Sequence, residues 1–327
     1  MRIPFEELKA AFKRVLLKLG FTEERAILCA RIFAENSRDG VYSHGLNRFP
    51  VFVQMVKDGL VAVDAEPEKL TQHGVTEQWD GHRAPGMYTA TKAMQRAIAL
   101  AKENGMGCVA VRNTNHWMRA GTYGWMAAEA GCIGFCFTNT IANMPPWGGT
   151  DPRLGNNPLV IAVPRQEGHI VLDMAMSQFS YGKLQEYELK GKALPVDGGY
   201  NENGQLSKDP AEVSEAERTL PIGFWKGSGL SLVLDVLVAS LSGGRSVGEI
   251  TAGGNEAGVS QLFLCINAEQ IDQTVSERII QYTKSSGLVN EQDDIRYPGE
   301  SSLATRRRNE KEGIPVNEGL WQQVLDL

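Results

Sequence analysis

Between residues 90 and 139 the chain alternates twice between a helical and a strand-like stretch, and that alternation limits its fold more than any other feature. "ATKAMQRAIALAKENG" (90–105) reads as a long helix and "CVAVRN" (108–113) as a short apolar strand. "TYGWMAAEAG" (122–131) and "CIGFCFTN" (132–139) repeat the pair. Helices and strands in alternation imply an α/β layer, a sheet covered by helices. "NPLVIAVP" (157–164) and "HIVLDMAM" (169–176) then follow with only a short link around Gly168. Parallel neighbours need a crossover of a dozen or more residues, so these two form a hairpin and the sheet is mixed. "VSQLFLCIN" (259–267) supplies a further strand, and "VSERIIQYTKSSG" (275–287) a further helix.

Before this core the signals are helical. Phe5, Leu8, Phe12 and Leu16 keep helical spacing until Gly20, and Thr22 with Glu23 and Glu24 marks an N-cap and acidic first turn for "TEERAILCARIFAENSR". "FPVFVQMVKDG" (49–59) is a third helix. Residues 191–223, rich in Gly and Pro, read as loop, and "KGSGLSLVLDVLVASLSG" (226–243) as a strongly apolar helix. The tail "SSLATRRRNEKEG" (301–313) reads as a helix whose three arginines form a solvated face. The expected organisation is a helical module over 1–74, packed with C-terminal helices of 290–327, beside a mixed α/β core over 75–289.

The net charge of −6 argues against nucleic acid, which wants a basic face, and gives no help at an anionic membrane. The apolar helix carries Asp235 and falls short of the ~20 residues of a membrane span. No apolar signal segment follows the amphipathic start "MRIPFEELKAAFKRV", so the cytoplasm is the default compartment. Five cysteines (29, 108, 132, 136 and 265) lack metal spacing and read as buried free thiols. Five histidines with no close pair make a zinc site, and with it a zinc hydrolase, improbable. No G-x-G-x-x-G is present, so a Rossmann site is not supported.

Chemistry concentrates in "DGVYSHGLNRFP" (39–50). If that stretch is helical, His44 and Arg48, four apart, share one face. A guanidinium can grip a carboxylate while an imidazole moves a proton on a neighbouring carbonyl oxygen. A helix-terminus histidine beside a surface arginine accounts for the spacing equally well. "NTNHWMR" (113–119) places His116 at the C-terminal end of a strand, where α/β folds site their ligands, or where a histidine is simply buried and satisfied. "ANMPPWGG" (142–149) is either a rigid connector or a pocket wall. "GFWKGSG" (223–229) sets Lys226 at a helix start, which suits an anion or only a tight turn.

In this order, "YSHGLNRFP", "NHWMRAGTYGW", "MPPWGG", "NNPLVIAVP", "LDMAMSQFSYGK", "FWKGSGLSLVLD" and "YPGE" resemble the malate/L-lactate dehydrogenase family of the non-Rossmann type, over essentially the whole chain. The resemblance implies an NAD(P)-dependent oxidoreductase, NADH ahead of NADPH, with a non-Rossmann α/β fold. It implies a homodimer acting on a small-molecule 2-oxo acid, foremost the sugar acid 2,3-diketo-L-gulonate. It matches His44 to the catalytic proton donor, with Ser43, Arg48 and His116 around the substrate. By position, the nucleotide contacts fall on His169, Ile170, Val171, Leu172, Asp173, Met174 and Ala175, on Trp225 and Lys226, and on Gly299, Glu300 and Ser301. Asn156 stands where many relatives have threonine, and Ala175 and Ser301 also depart from the pattern. A malate- or lactate-type activity is the alternative within the family, and a non-catalytic ligand-binding protein the alternative outside it.

Overall fold

The computed structural model describes residues 1–272 and 274–327. The chain opens with β1 (Arg2–Ile3), α1 (Phe5–Lys18) and α2 (Glu23–Arg38), then passes through 3₁₀ turns at Tyr42–His44 and Leu46–Arg48 into α3 (Phe49–Lys57). The core follows as β2 (Glu68–His73), β3 (Thr76–Asp80), α4 (Gly86–Asn104), β4 (Met106–Asn115), α5 (Gly121–Glu129), β5 (Cys132–Thr138), β6 (Leu159–Val163) and β7 (Ile170–Met174). Next come α6 (Tyr181–Leu189), β8 (Gly199–Tyr200), β9 (Leu206–Ser207), α7 (Pro210–Ala216), α8 (Trp225–Ser242) and α9 (Val247–Ala252). The chain ends with β10 (Ala257–Asn267), α10 (Thr274–Lys284), α11 (Glu300–Glu312), β11 (Ile314–Pro315) and α12 (Glu318–Asp326).

Seven strands form the main sheet in the order β2-β3-β4-β10-β5-β6-β7. It is mixed: β3 and β4 run parallel across the α4 crossover, while β6 and β7 close the expected hairpin. β10 slips between β4 and β5, antiparallel to both, with Phe263 opposite Val109 on one side and Cys136 on the other. The period-2 alternation of strands assigns side chains to two faces. On β4, Val109 and Val111 pack with Ala93, Met94 and Ala97 of α4, whereas Cys108 and Ala110 pack with Leu234 and Val238 of α8. All five cysteines are buried and unpaired.

A separate cluster builds the helical end. Phe12, Phe33, Phe49 and Phe52 meet there, with the Phe12 and Phe49 centroids 4.3 Å apart. Trp321, Val324 and Ile314 from the end of the chain join the same cluster, and β1 pairs with β11 so that Ile3 faces Ile314. Burying each such side chain contributes about 1.5–3 kcal/mol. The β2–β3 hairpin spans residues 68–80, on both sides of residue 74.

Two local readings need correction. The stretch 191–223 is not all loop: Asp209 caps α7 by accepting from the N–H groups of Ala211 and Glu212, with Pro210 in the first turn. The arginines of α11 are not one solvated face, because Arg306 is half-buried and its guanidinium pairs with buried Asp39. Among the described residues no helix is long and apolar enough to cross a membrane.

Candidate active site

The end of α2 explains why chemistry gathers at 39–50. Gly40 takes a positive φ of 85° and stops the helix. Two short 3₁₀ turns follow, broken at Gly45, so His44 and Arg48 do not share the face of one α-helix. A Cβ on Gly45 would lie 2.1 Å from Ser37 Oγ and 2.8 Å from Ser37 N. Only glycine lets this strand of backbone press onto α2. The same serine hydroxyl accepts from Leu46 N at 2.9 Å, and Asn36 Nδ2 donates to the carbonyl of His44 at 2.9 Å. The folded turn therefore aims both side chains into one cavity instead of setting them along a helix.

That cavity holds about 1020 Å³, and Ser43, His44, Arg48 and His116 all line it. His44 Nδ1 lies 3.0 Å from Ser43 Oγ. The imidazoles of His44 and His116 stack, with centroids 5.7 Å apart and planes at 16°. His116 Nδ1 accepts from Met118 N at 3.0 Å, so its ring orientation is fixed by the turn after β4. Burial pushes the His44 pKa down to about 4; Asp173 pulls it up, and Arg48 and Arg119 push it further down. Burial also holds His116 well below the usual histidine range, helped by Arg48 and His44. With only the protein's own charges around them, both imidazoles are neutral at pH 7.

A charged relay supports this floor. Arg119 donates to Asp173 at 3.2 Å and to Asp39 at 3.0 Å, and Arg306 donates to both oxygens of Asp39 at 2.9 and 2.7 Å. Burial would raise the Asp39 pKa, but Arg306, Arg119 and Arg38 outweigh it and lower it. Arg306 also lies over the Trp125 ring, 4.6 Å from its centroid. On the opposite wall α6 begins at Ser180, whose side chain caps it, and Gly182 packs against Ser43.

The residues matched to a nucleotide divide. Val171, Leu172, Asp173, Ala175, Gly299 and Ser301 line the cavity. Gly299, at φ 97°, is held where a Cβ would sit 3.1 Å from both His169 O and Val171 N, and α11 starts from it with its first turn at the cavity. His169 instead accepts from Arg165 N and packs against Trp125, and Ile170 lines a smaller apolar cavity of about 250 Å³. Met174 packs with the cluster under α8, and Glu300 pairs with Lys284. Trp225 and Lys226 open α8 outside this cavity, where Phe224 at φ 58° packs tilted against Trp147 and Trp225 is 66% exposed.

The structure adds Tyr181 and Glu256 as lining residues that the sequence did not single out, and it brings Asn143 of the 142–149 stretch and Asn156 into the same lining. Asn156 Oδ1 lies 3.2 Å from the Thr140 hydroxyl and 3.3 Å from Asn143 Nδ2. Tyr181 donates to Asn143 O. Glu256 lies 3.6 Å from Arg48. No periodic pattern marks these four: Asn143 and Asn156 come from the connection between β5 and β6, Tyr181 opens α6, and Glu256 precedes β10. Among the described residues no cluster of histidine, cysteine and carboxylate side chains could hold a metal.

Comparison with known proteins agrees with this arrangement. 2,3-diketo-L-gulonate reductase of Escherichia coli is 46% identical over 333 aligned positions, covering all of both chains. The crystal structure of malate dehydrogenase from Entamoeba histolytica superposes with a TM-score of 0.93 at 26% identity, over 100% of this chain and 96% of that one. Sulfolactate dehydrogenase from Methanocaldococcus jannaschii gives 0.87 at 29% identity, over 99% and 95%. The family described as malate/L-lactate dehydrogenase matches residues 3–325. With that match spanning nearly the whole chain, this protein belongs to the malate/L-lactate dehydrogenase family.

Proposed function

We propose that this oxidoreductase reduces the C2 carbonyl of a 2-oxo sugar acid, 2,3-diketo-L-gulonate to 3-keto-L-gulonate, with NADH. The observation that carries the reading is the convergence of His44, His116 and Arg48 on one cavity large enough for a nucleotide and a substrate together. The 46% identity to 2,3-diketo-L-gulonate reductases supports the choice of substrate. A dehydrogenase of this family uses a nicotinamide cofactor, and the cavity suits one. The first turn of α11 offers backbone N–H groups to a phosphate, beside the edge strand β7, to which Pro298 is tied by the Val171 N–H at 2.9 Å. When bound, the nicotinamide supplies the hydride.

His44 gives its proton to the oxygen of the reacting carbonyl and recovers it in the oxidative direction. Arg48 holds the substrate carboxylate, whose charge offsets the guanidinium that disfavours a protonated His44. Ser43 fixes the His44 ring through Nδ1, and His116 orients the carbonyl or a neighbouring hydroxyl. Val171, Leu172, Asp173 and Ala175, with Gly299 and Ser301, form the nucleotide wall.

The protein works as a cytoplasmic homodimer with no nucleic-acid or membrane partner. The exposed face of α8 supports the dimer: Leu232, Val233, Val236 and Leu237 are 42–57% exposed along one stripe. Residues 1–74 with 290–327 and residues 75–289 are the two units of the fold, with β2 of the first segment lent to the sheet of the second, a division supported by the aromatic cluster that both termini share.

The test is loss of NADH absorbance with 2,3-diketo-L-gulonate, pyruvate and oxaloacetate, each repeated with NADPH. A dominant kcat/KM for the diketo acid with NADH is expected, together with a ~10²–10⁴-fold loss of kcat in His44→Ala and unchanged NADH binding. Turnover of simple 2-oxo acids alone would move the chain to a malate- or lactate-type activity. Parental kcat in His44→Ala would remove the proton-donor role.

A further inference from the structure

The guanidinium assigned to the substrate carboxylate already faces a carboxylate. Arg48 Nη2 lies 3.6 Å from Oε2 of Glu256, both side chains line the main cavity, and the Glu256 side chain is only 20% exposed. Glu256 is fixed by its place one residue before β10, where Ala257 opposes Asn115, next to His116. Building on the function proposed above, we propose that Glu256 is a positioning residue that holds Arg48 before substrate binds and takes up one proton when the carboxylate of the 2-oxo acid arrives.

The physical argument is a competition for one cation. A guanidinium in a partly dry cavity can balance one carboxylate, and two anions sharing it raise the cost of keeping both ionised. Burial already pushes the Glu256 carboxyl up, and Arg48 pulls it back. Once the substrate's carboxylate occupies Arg48, that opposing pull weakens and a second negative charge stands beside Glu256. Protonation is the low-cost outcome: the binding equilibrium gains one proton from solvent, and Glu256 then offers an O–H to the ligand while its carbonyl oxygen still accepts from Arg48.

The other charges facing this point come from several elements. His44 lies in the turn after α2, His116 after β4 and Asp173 on β7, and Arg245 donates to Ala257 O from the loop before α9. Both histidines are neutral among the protein's own charges and can also gain a proton when an anion binds. The diagnostic quantity is therefore the difference between the parent and Glu256→Gln, which keeps an oxygen acceptor for Arg48 but cannot ionise.

Oxamate, a carboxylate with an adjoining carbonyl that is not reduced, is titrated calorimetrically into the NADH-bound protein in buffers of different ionisation enthalpy. The parent is expected to take up close to one proton more than Glu256→Gln at neutral pH. Its Kd for oxamate is expected to rise about tenfold per pH unit above the Glu256 pKa, with a flatter dependence and tighter binding in the variant. Equal proton uptake in the two proteins, weaker oxamate binding by Glu256→Gln, or no oxamate binding at all overturns the proposal. Zero uptake by the parent does so too, whatever the variant's folding. Because no turnover is needed, absence of 2-oxo acid reduction would overturn the proposed function while the proton count still decides Glu256.

Discussion

His44 is half-buried as a neutral imidazole, and that has a consequence for stability apart from catalysis. Its pKa is about 4 in the fold against 6.5 for an unperturbed histidine. Between those values the unfolded chain binds more protons than the folded one, so folding stability rises with pH. The contribution is full above pH 6.5 and is lost as pH falls towards 4. From the two pKa values, about 2 kcal/mol should disappear between pH 7 and pH 5. Thermal unfolding of the parent and of His44→Gln at these two pH values checks this: the parent should lose Tm more steeply on acidification, and parallel losses would show that His44 is not buried neutral. The residue types at the site were legible in the sequence, because an imidazole, a guanidinium and a hydroxyl within six positions are hard to overlook. Their geometry was not. A helical spacing argument assumed an unbroken backbone, whereas Gly45 breaks it to let the chain press on Ser37. Glu256 escaped because a lone carboxylate beside glycines carries no pattern; its meaning comes from a partner more than 200 positions away.

At the scale of elements, α8 separates what apolarity says from what it leaves open. Eighteen residues of this helix are apolar nearly all round, which ordinarily signals burial on every side. Leu234 and Val238 do pack on the sheet, but Leu232, Val233, Val236 and Leu237 face outwards. A face of that kind on a helix is best covered by a second copy of the chain. Val236→Asp should convert two-chain particles to single chains in light scattering while the circular dichroism stays that of a folded protein; a parent already single-chained would remove the dimer. Five strands of the main sheet, β4, β5, β6, β7 and β10, were legible for a different reason, whereas β2 and β3 were not read from the sequence. A short apolar run between helix signals can only be a strand of a covered sheet, and the brief link at Gly168 can only be a hairpin. The α7 helix was equally readable from Asp209-Pro210, a cap followed by a first-turn proline. Its surroundings of Gly and Pro concealed it.

For the whole molecule, Asp39 is the junction. It lies at the end of α2 and accepts from Arg119 behind the active-site floor and from Arg306 on α11, so one carboxylate joins the helical end, the core and the C-terminal helix. Removing one partner of a buried ionic group strands the others: Asp39→Asn should cost about 3 kcal/mol or more. Chemical denaturation would read it as a lower midpoint at unchanged slope, and a change under about 1 kcal/mol would mean that the three guanidiniums find water instead. Sequence spacing shows none of this, because the partners are 80 and 267 positions away. The same long separations bear on how the chain is made. β10 sits in the middle of the sheet yet is drawn from residues 257–267, so the strands it joins, β4 and β5, leave the ribosome well before their shared neighbour exists. During that interval two unpaired strand edges stand open at what becomes the centre of the protein, and a nascent chain of this design depends on delay, shielding or chaperones until its last quarter emerges.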